Sequence, residues 1–132
     1  MKGITYLTPE KIVRLNEVAL SSYYIKKADK PEVLSYSRII EILDECKLDK
    51  GDLYDKAVIL LKGIIQRHPF ASGNRRTAFI ATNLFLQKNN SILRVPVAPE
   101  NAKVLQGIRE RYYTDEELKE WIKNGEIRRF VR

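Results

Sequence analysis

Two long apolar runs separated by a short polar loop constrain this chain more than any other feature of its sequence. The first, AVILLKGIIQ within residues 54–67, is apolar on nearly every side, and its length before Pro69 favours a buried helix over a strand. The second, RRTAFIATNLFLQ from Arg75 to Gln87, is again apolar on most faces and stops at Asn89 and Asn90. Two buried helices therefore flank HPFASGN, and the rest of the chain has to pack around them.

The remaining segments read as shorter amphipathic helices. Thr8, Pro9 and Glu10 supply a hydroxyl N-cap, a first-turn proline and an acid at the positive helix end. A helix is predicted from about Pro9 to Tyr24, with Ile12, Leu15, Val18, Ala19 and Ser22 along one face. A polar stretch from Lys26 to Lys30 interrupts it. Pro31 restarts the chain, and Val33, Leu34, Ile39, Ile40, Ile42 and Leu43 predict a second helix ending near Cys46. KLDKGD, residues 47–52, carries a glycine among charges and reads as a turn or a short hairpin-like flap. Beyond the core, helices are predicted from about Pro99 to Tyr112 and from Thr114 to Lys123, the latter opening with a capping box in TDEE. There is no internal repeat, low-complexity tract or linker-like shift in composition. The expected fold is all-α, one domain over residues 1–132, with about six helices and a small flap.

Composition narrows the partners. A chain of 132 residues buries one core, and no segment approaches the roughly 20 apolar residues that span a membrane. MKGITYLTPEK has no apolar stretch or cleavage site that marks it for export, so the chain is read as cytoplasmic. The single cysteine, Cys46, has no His or Cys neighbour at a ligand spacing and reads as a partly buried structural thiol. A net charge of +7 implies attraction to something acidic: nucleic acid, a nucleotide phosphate or an acidic protein. Nucleic acid has only that charge behind it, without a helix-turn-helix or RNA-binding signature. Arg75 and Arg76 adjoin the polar loop, whereas Arg128, Arg129 and Arg132 crowd the C-terminus and read as a solvated end.

The loop itself points to phosphate chemistry. Polar groups set between the two most apolar helices need partners. Gly73 and Asn74 come immediately before the second helix, where free backbone N–H groups and the helix dipole make an anion site. Gly73 permits close backbone approach, and Asn74 can fix the loop through its amide or tolerate left-handed geometry. Arg76 offers a guanidinium that binds phosphate oxygens in a bidentate manner. His68 is the only histidine in the chain, lies where the preceding helix ends, and is the natural general base for an attacking hydroxyl. Pro69 stiffens the turn, and Phe70 anchors it in the core.

HPFASGNRRTA resembles the signature of the Fic/Doc family, usually written H-x-F-x-D/E-G-N-x-R, matched here by His68, Phe70, Gly73, Asn74 and Arg76. The continuation Asn74 to Ala78 is most similar to the death-on-curing (Doc) branch, as are Tyr6-Leu-Thr-Pro-Glu, Asp52-Leu-Tyr and Asn83-Leu-Phe-Leu; the likeness covers most of residues 4–125. The resemblance implies a Fic fold, with His68 as base and Arg76 beside it in catalysis. It implies a nucleotide held by Phe70, Ser72, Gly73, Asn74, Arg75 and Arg76, and transfer of AMP or the terminal phosphate of ATP to a protein hydroxyl. It further places at residues 44–55 a flap that holds a target's backbone by strand addition.

Two positions depart from the pattern. Ser72 stands where the family carries an acidic magnesium ligand, and a hydroxyl is a far poorer ligand for a hard divalent cation than a carboxylate. Three outcomes stay open: magnesium held weakly, mainly by the nucleotide's own phosphates; its replacement by arginine charge such as Arg75; or a weakened, merely nucleotide- or anion-binding module. On the first, Ser72→Asp is expected to raise magnesium affinity and turnover. The other departure is Phe79, where AMP-transferring members commonly carry a second Arg; Doc-like members also lack it, which favours terminal-phosphate transfer. Gly73 pulls the opposite way, because Doc itself departs from glycine there. The family's inhibitory motif is not matched, since Ser37 and Glu41 have its spacing but are followed by Ile42. A separate antitoxin-like protein is the inhibitor expected.

Overall fold

The run that ends at Arg67 folds as the axis of the molecule. In the computed structural model, which describes residues 3–21, 30–95 and 98–131, the chain forms α1 (Pro9–Ser21), α2 (Tyr36–Leu48), α3 (Leu53–Arg67), α4 (Asn74–Lys88), α5 (Glu100–Arg109) and α6 (Asp115–Asn124). Helix α3 packs against α2, α4, α5 and α6, while α1 lies on α4 and α2. Leu60, Leu61, Ile64 and Ile65 of α3 are each 1% exposed, and burying one such side chain contributes roughly 1.5–3 kcal/mol. Gly63 interrupts that run because α2 passes so close: a Cβ there would lie 2.9 Å from Ile42 Cγ2. The fold is all-α; among the described residues the β-pairing amounts to one isolated bridge, Val33 to Phe70. No described helix is long and apolar enough to cross a membrane.

Helix ends follow local side-chain chemistry. Asp52 and Asp55 form a capping box at the start of α3, and Thr114 and Glu117 form another at α6, which Gly125 ends in the left-handed conformation. Buried Lys56 donates to the carbonyls of Cys46 and Asp49, satisfying acceptors at the end of α2. Cys46 lies beneath, its thiol pushed up to about 12 by burial, so it stays protonated and inert.

Four expectations change. Residues 47–52 take the turn alternative and no flap forms within 44–55: α2 continues to Leu48, and Asp49 as its C-cap leads almost directly to Asp52 as the next N-cap, with Gly51 turning between them. Helix α2 begins at Tyr36 rather than near Pro31, because Ser35 caps it and the backbone before it bonds elsewhere. On α1, Val18 is exposed and Asn16 is buried in its place, while Ser22 to Tyr24 fall outside the described residues. The C-terminal arginines are not simply a solvated end: Arg128 pairs with Glu117, donates to the Tyr112 carbonyl and lies 3.9 Å from the centre of the Tyr112 ring. Arg129 is exposed, and Arg132 lies outside the described residues.

Candidate functional site

His68 ends α3 in the left-handed region, φ 51° and ψ 59°, with its N–H on the Ile64 carbonyl. That conformation, uncommon for a residue with a Cβ, reverses the chain so that Phe70 drops into the core, fully buried. Asn74, 4% exposed at the first position of α4, then grips the loop from within: Oδ1 accepts from Phe70 N–H at 3.0 Å and Nδ2 donates to the Phe70 carbonyl at 2.8 Å. The same Nδ2 lies 3.1 Å from His68 Nδ1. An amide nitrogen only donates, so Nδ1 accepts and a neutral ring carries its proton on Nε2 in this arrangement.

Two further elements brace the loop from outside. The Pro69 carbonyl accepts from the N–H groups of Leu34 and Ser35, and Ala71 N–H donates to the Glu32 carbonyl. From α1, buried Asn16 donates to the Ser72 carbonyl at 2.9 Å and to Thr77 Oγ1 at 3.1 Å. Gly73 adopts φ 78°, and a Cβ there would lie 3.0 Å from Leu20 Cδ2, so both conformation and space select glycine. It opens α4 without a side-chain cap, leaving the helix's first turn to be satisfied by something else.

The loop borders a cavity of about 970 Å³. His68, Ser72, Gly73, Asn74, Arg75 and Arg76 line it together. Phe70 does not: the residue expected to touch a nucleotide instead serves as the loop's anchor. The opposite wall is α5, which contributes Leu105 and Arg109, with Phe79 and Ile80 of α4 completing an apolar side. Three arginines and the histidine face this space without one Asp or Glu among the described lining residues. Burial holds the His68 imidazole below its ordinary range, and the charges of Arg109, Arg38 and Arg75 push it further the same way. Arg76 is itself partly desolvated, which lowers its pKa and sharpens its interaction with an anion.

Sequence reasoning missed Asn16, Arg38 and Arg109. Asn16 was signalled, since an amide on the face shared by Ile12, Leu15 and Ala19 needs a reason to be there. Arg38 braces α3 by donating to the Arg67 carbonyl at 2.8 Å. Arg109, the last residue of an ordinary short helix, carried no local signal. A model of the Fic/DOC family matches residues 6–86, that is α1 to α4 almost to its end, together with the loop. No curated protein matches the chain.

Proposed function

The chain belongs to the Fic/DOC family, and on that premise we propose that it is a Doc-like transferase moving a phosphate-containing group from ATP to a hydroxyl of a cytosolic protein. Members of the family are in general transferases of the AMP-transferring type. The observation that carries the reading is that one cavity unites His68 with the uncapped N-terminus of α4 and the guanidiniums of Arg75 and Arg76. A phosphate chain suits the glycine turn and Arg76, and the apolar wall of Phe79, Ile80 and Leu105 suits a base and sugar. Terminal-phosphate transfer is the finer reading, because Phe79 fills the place of a second motif arginine.

In that reaction the target's hydroxyl oxygen bonds to the terminal phosphorus, the bond from that phosphorus to the leaving nucleoside diphosphate breaks, and His68 takes the hydroxyl proton. Accepting it at Nε2 requires the ring's resting proton to move to Nδ1 and the contact with Asn74 Nδ2 to open. A separate antitoxin-like protein is the inhibitor we propose.

The second reading, a module that binds a nucleotide or another anion without chemistry, is favoured by one observation: Ser72 supplies no carboxylate, and no described residue lining the cavity is an acid. Incubating a cell lysate and the protein with ATP labelled at either the α or the γ position separates the two. Label from the γ position on protein is expected. Label from the α position would replace phosphate transfer by AMP transfer, and ATP binding with neither label would leave the binding module. For Arg76→Ala, ATP affinity and transfer rate should fall together, by about tenfold or more, since a phosphate-bound guanidinium serves ground and transition states alike. Unchanged affinity by calorimetry would remove Arg76 from the phosphate site.

A further inference from the structure

Several described cations are ion-paired. Lys62 pairs with Asp115, Arg67 with Glu41 and Glu45, Lys119 with Asp52 and Asp55, and Arg128 with Glu117. Arg75 and Arg109 form no ion pair with any described residue, and both line the cavity, one from the first turn of α4 and the other from the last residue of α5. They add two positive charges to the space that Arg76 also lines, and no described lining residue is an Asp or Glu. Arg75 and Arg109, neither with a counterion among the described residues, are most favourably placed when a polyanion fills the space.

The same charges exclude the ion that the family resemblance implies. Magnesium requires hard anionic oxygens, whereas the loop offers the Ser72 hydroxyl and the amide oxygen of Asn74, already bonded to Phe70 N–H. Among the described residues, no three His, Cys, Asp or Glu side chains converge where a metal could bind. A dication entering this cavity would meet guanidiniums rather than carboxylates.

We propose that Arg75 and Arg109 take the charge-neutralising place of the divalent cation, so that the cavity binds a nucleoside polyphosphate as the metal-free anion, clasped between α4 and α5. The inference rests on the reading of the loop as a nucleotide-phosphate site and adds to it Arg109, which lies outside the segment that the family model matches. Arginine suits the role because its planar fork binds two phosphate oxygens at once and stays charged at any working pH. An exposed guanidinium can swing onto the phosphates after they dock, as a fixed carboxylate–metal site cannot. Ser72 then follows from the same logic: a carboxylate beside the phosphates would pair with Arg75 and weaken the clasp.

Calorimetry on the full chain tests this, with inorganic tripolyphosphate and ATP as probes, first in EDTA and then in excess magnesium. Binding of both probes is expected in EDTA, with no tighter binding when magnesium is added. Arg109→Ala and Arg109→Gln should each weaken tripolyphosphate by about tenfold or more, while Arg94→Ala, at an exposed arginine that does not line the cavity, leaves it unchanged. His68 is the sole histidine, so its ring signal in proton NMR reports occupancy directly and should titrate at higher pH once the polyanion is bound. Ser72→Asp should bind tripolyphosphate about tenfold more weakly in EDTA and gain no turnover over wild type in magnesium. Magnesium tightening ATP about tenfold with Arg109→Ala unaffected, or a gain of turnover in Ser72→Asp, overturns the proposal. Transfer that still depends on His68 would then leave the nucleotide reading standing. If ATP binds in neither condition, both fall.

Discussion

Replacing His68 with alanine is expected to abolish transfer, by about 10²–10⁴-fold, while ATP affinity and the fold persist. The imidazole acts on the incoming hydroxyl and not on the phosphates, and alanine keeps the backbone N–H that bonds the Ile64 carbonyl at the end of α3. His68→Asn, a residue that tolerates that conformation better than alanine, serves as the check on folding. The pH profile supplies a second readout. Transfer needs the neutral ring, and burial followed by the charges of Arg109 on α5, Arg38 on α2 and Arg75 on α4 lowers its pKa. The rate should therefore stay level through neutrality and fall only as the pH drops through a value below the ordinary histidine range. Arg109→Ala removes one of those positive charges, so the acid limb should move to higher pH. Single-turnover rates across pH decide it: wild-type transfer by His68→Ala takes the residue out of the mechanism.

What could be read from the sequence was whatever local chemistry writes into consecutive residues. Thr114 and Glu117 announce their capping box because both partners lie within one turn. The two apolar runs announce α3 and α4 because burial on every side leaves no polar face, and the residue types of the loop announce the polar cluster that lines the cavity. What could not be read depends on partners far along the chain. The segment before α2 is extended because its N–H groups find the Pro69 carbonyl, more than thirty residues away, whereas Val33 and Leu34 alone continue an apolar pattern into the helix. KLDKGD has the composition of a flap, but two aspartates acting as C-cap and N-cap join α2 to α3 with no room for one. Arg109 is an arginine on an amphipathic helix like many others until α5 packs on α3 and turns it toward the loop.

Asn74→Ala should cost more than any other single truncation in the loop, because one amide performs three tasks. Its removal strands the Phe70 N–H and carbonyl next to a fully buried ring, and each unsatisfied buried group costs about 1–3 kcal/mol. A loss of about 2–6 kcal/mol, large against the roughly 5–15 kcal/mol that holds a domain together, should appear as a lower denaturation midpoint and as loss of ATP binding. Asn74→Asp dissects the effect. A carboxylate still accepts from Phe70 N–H but can no longer donate to the Phe70 carbonyl or to His68 Nδ1. It would accept a hydrogen bond from Nδ1–H instead, which leaves Nε2 unprotonated to act as base and raises the His68 pKa through its charge. Asn74→Asp is therefore expected to be destabilised less than alanine, with the acid limb of transfer shifted upward and the His68 tautomer, read from ring ¹⁵N shifts, switched to Nδ1–H. If Asn74→Ala keeps the wild-type midpoint and binds ATP normally, the braces from Asn16 and from Leu34 and Ser35 hold the loop without it, and the clamp described for Asn74 carries no weight.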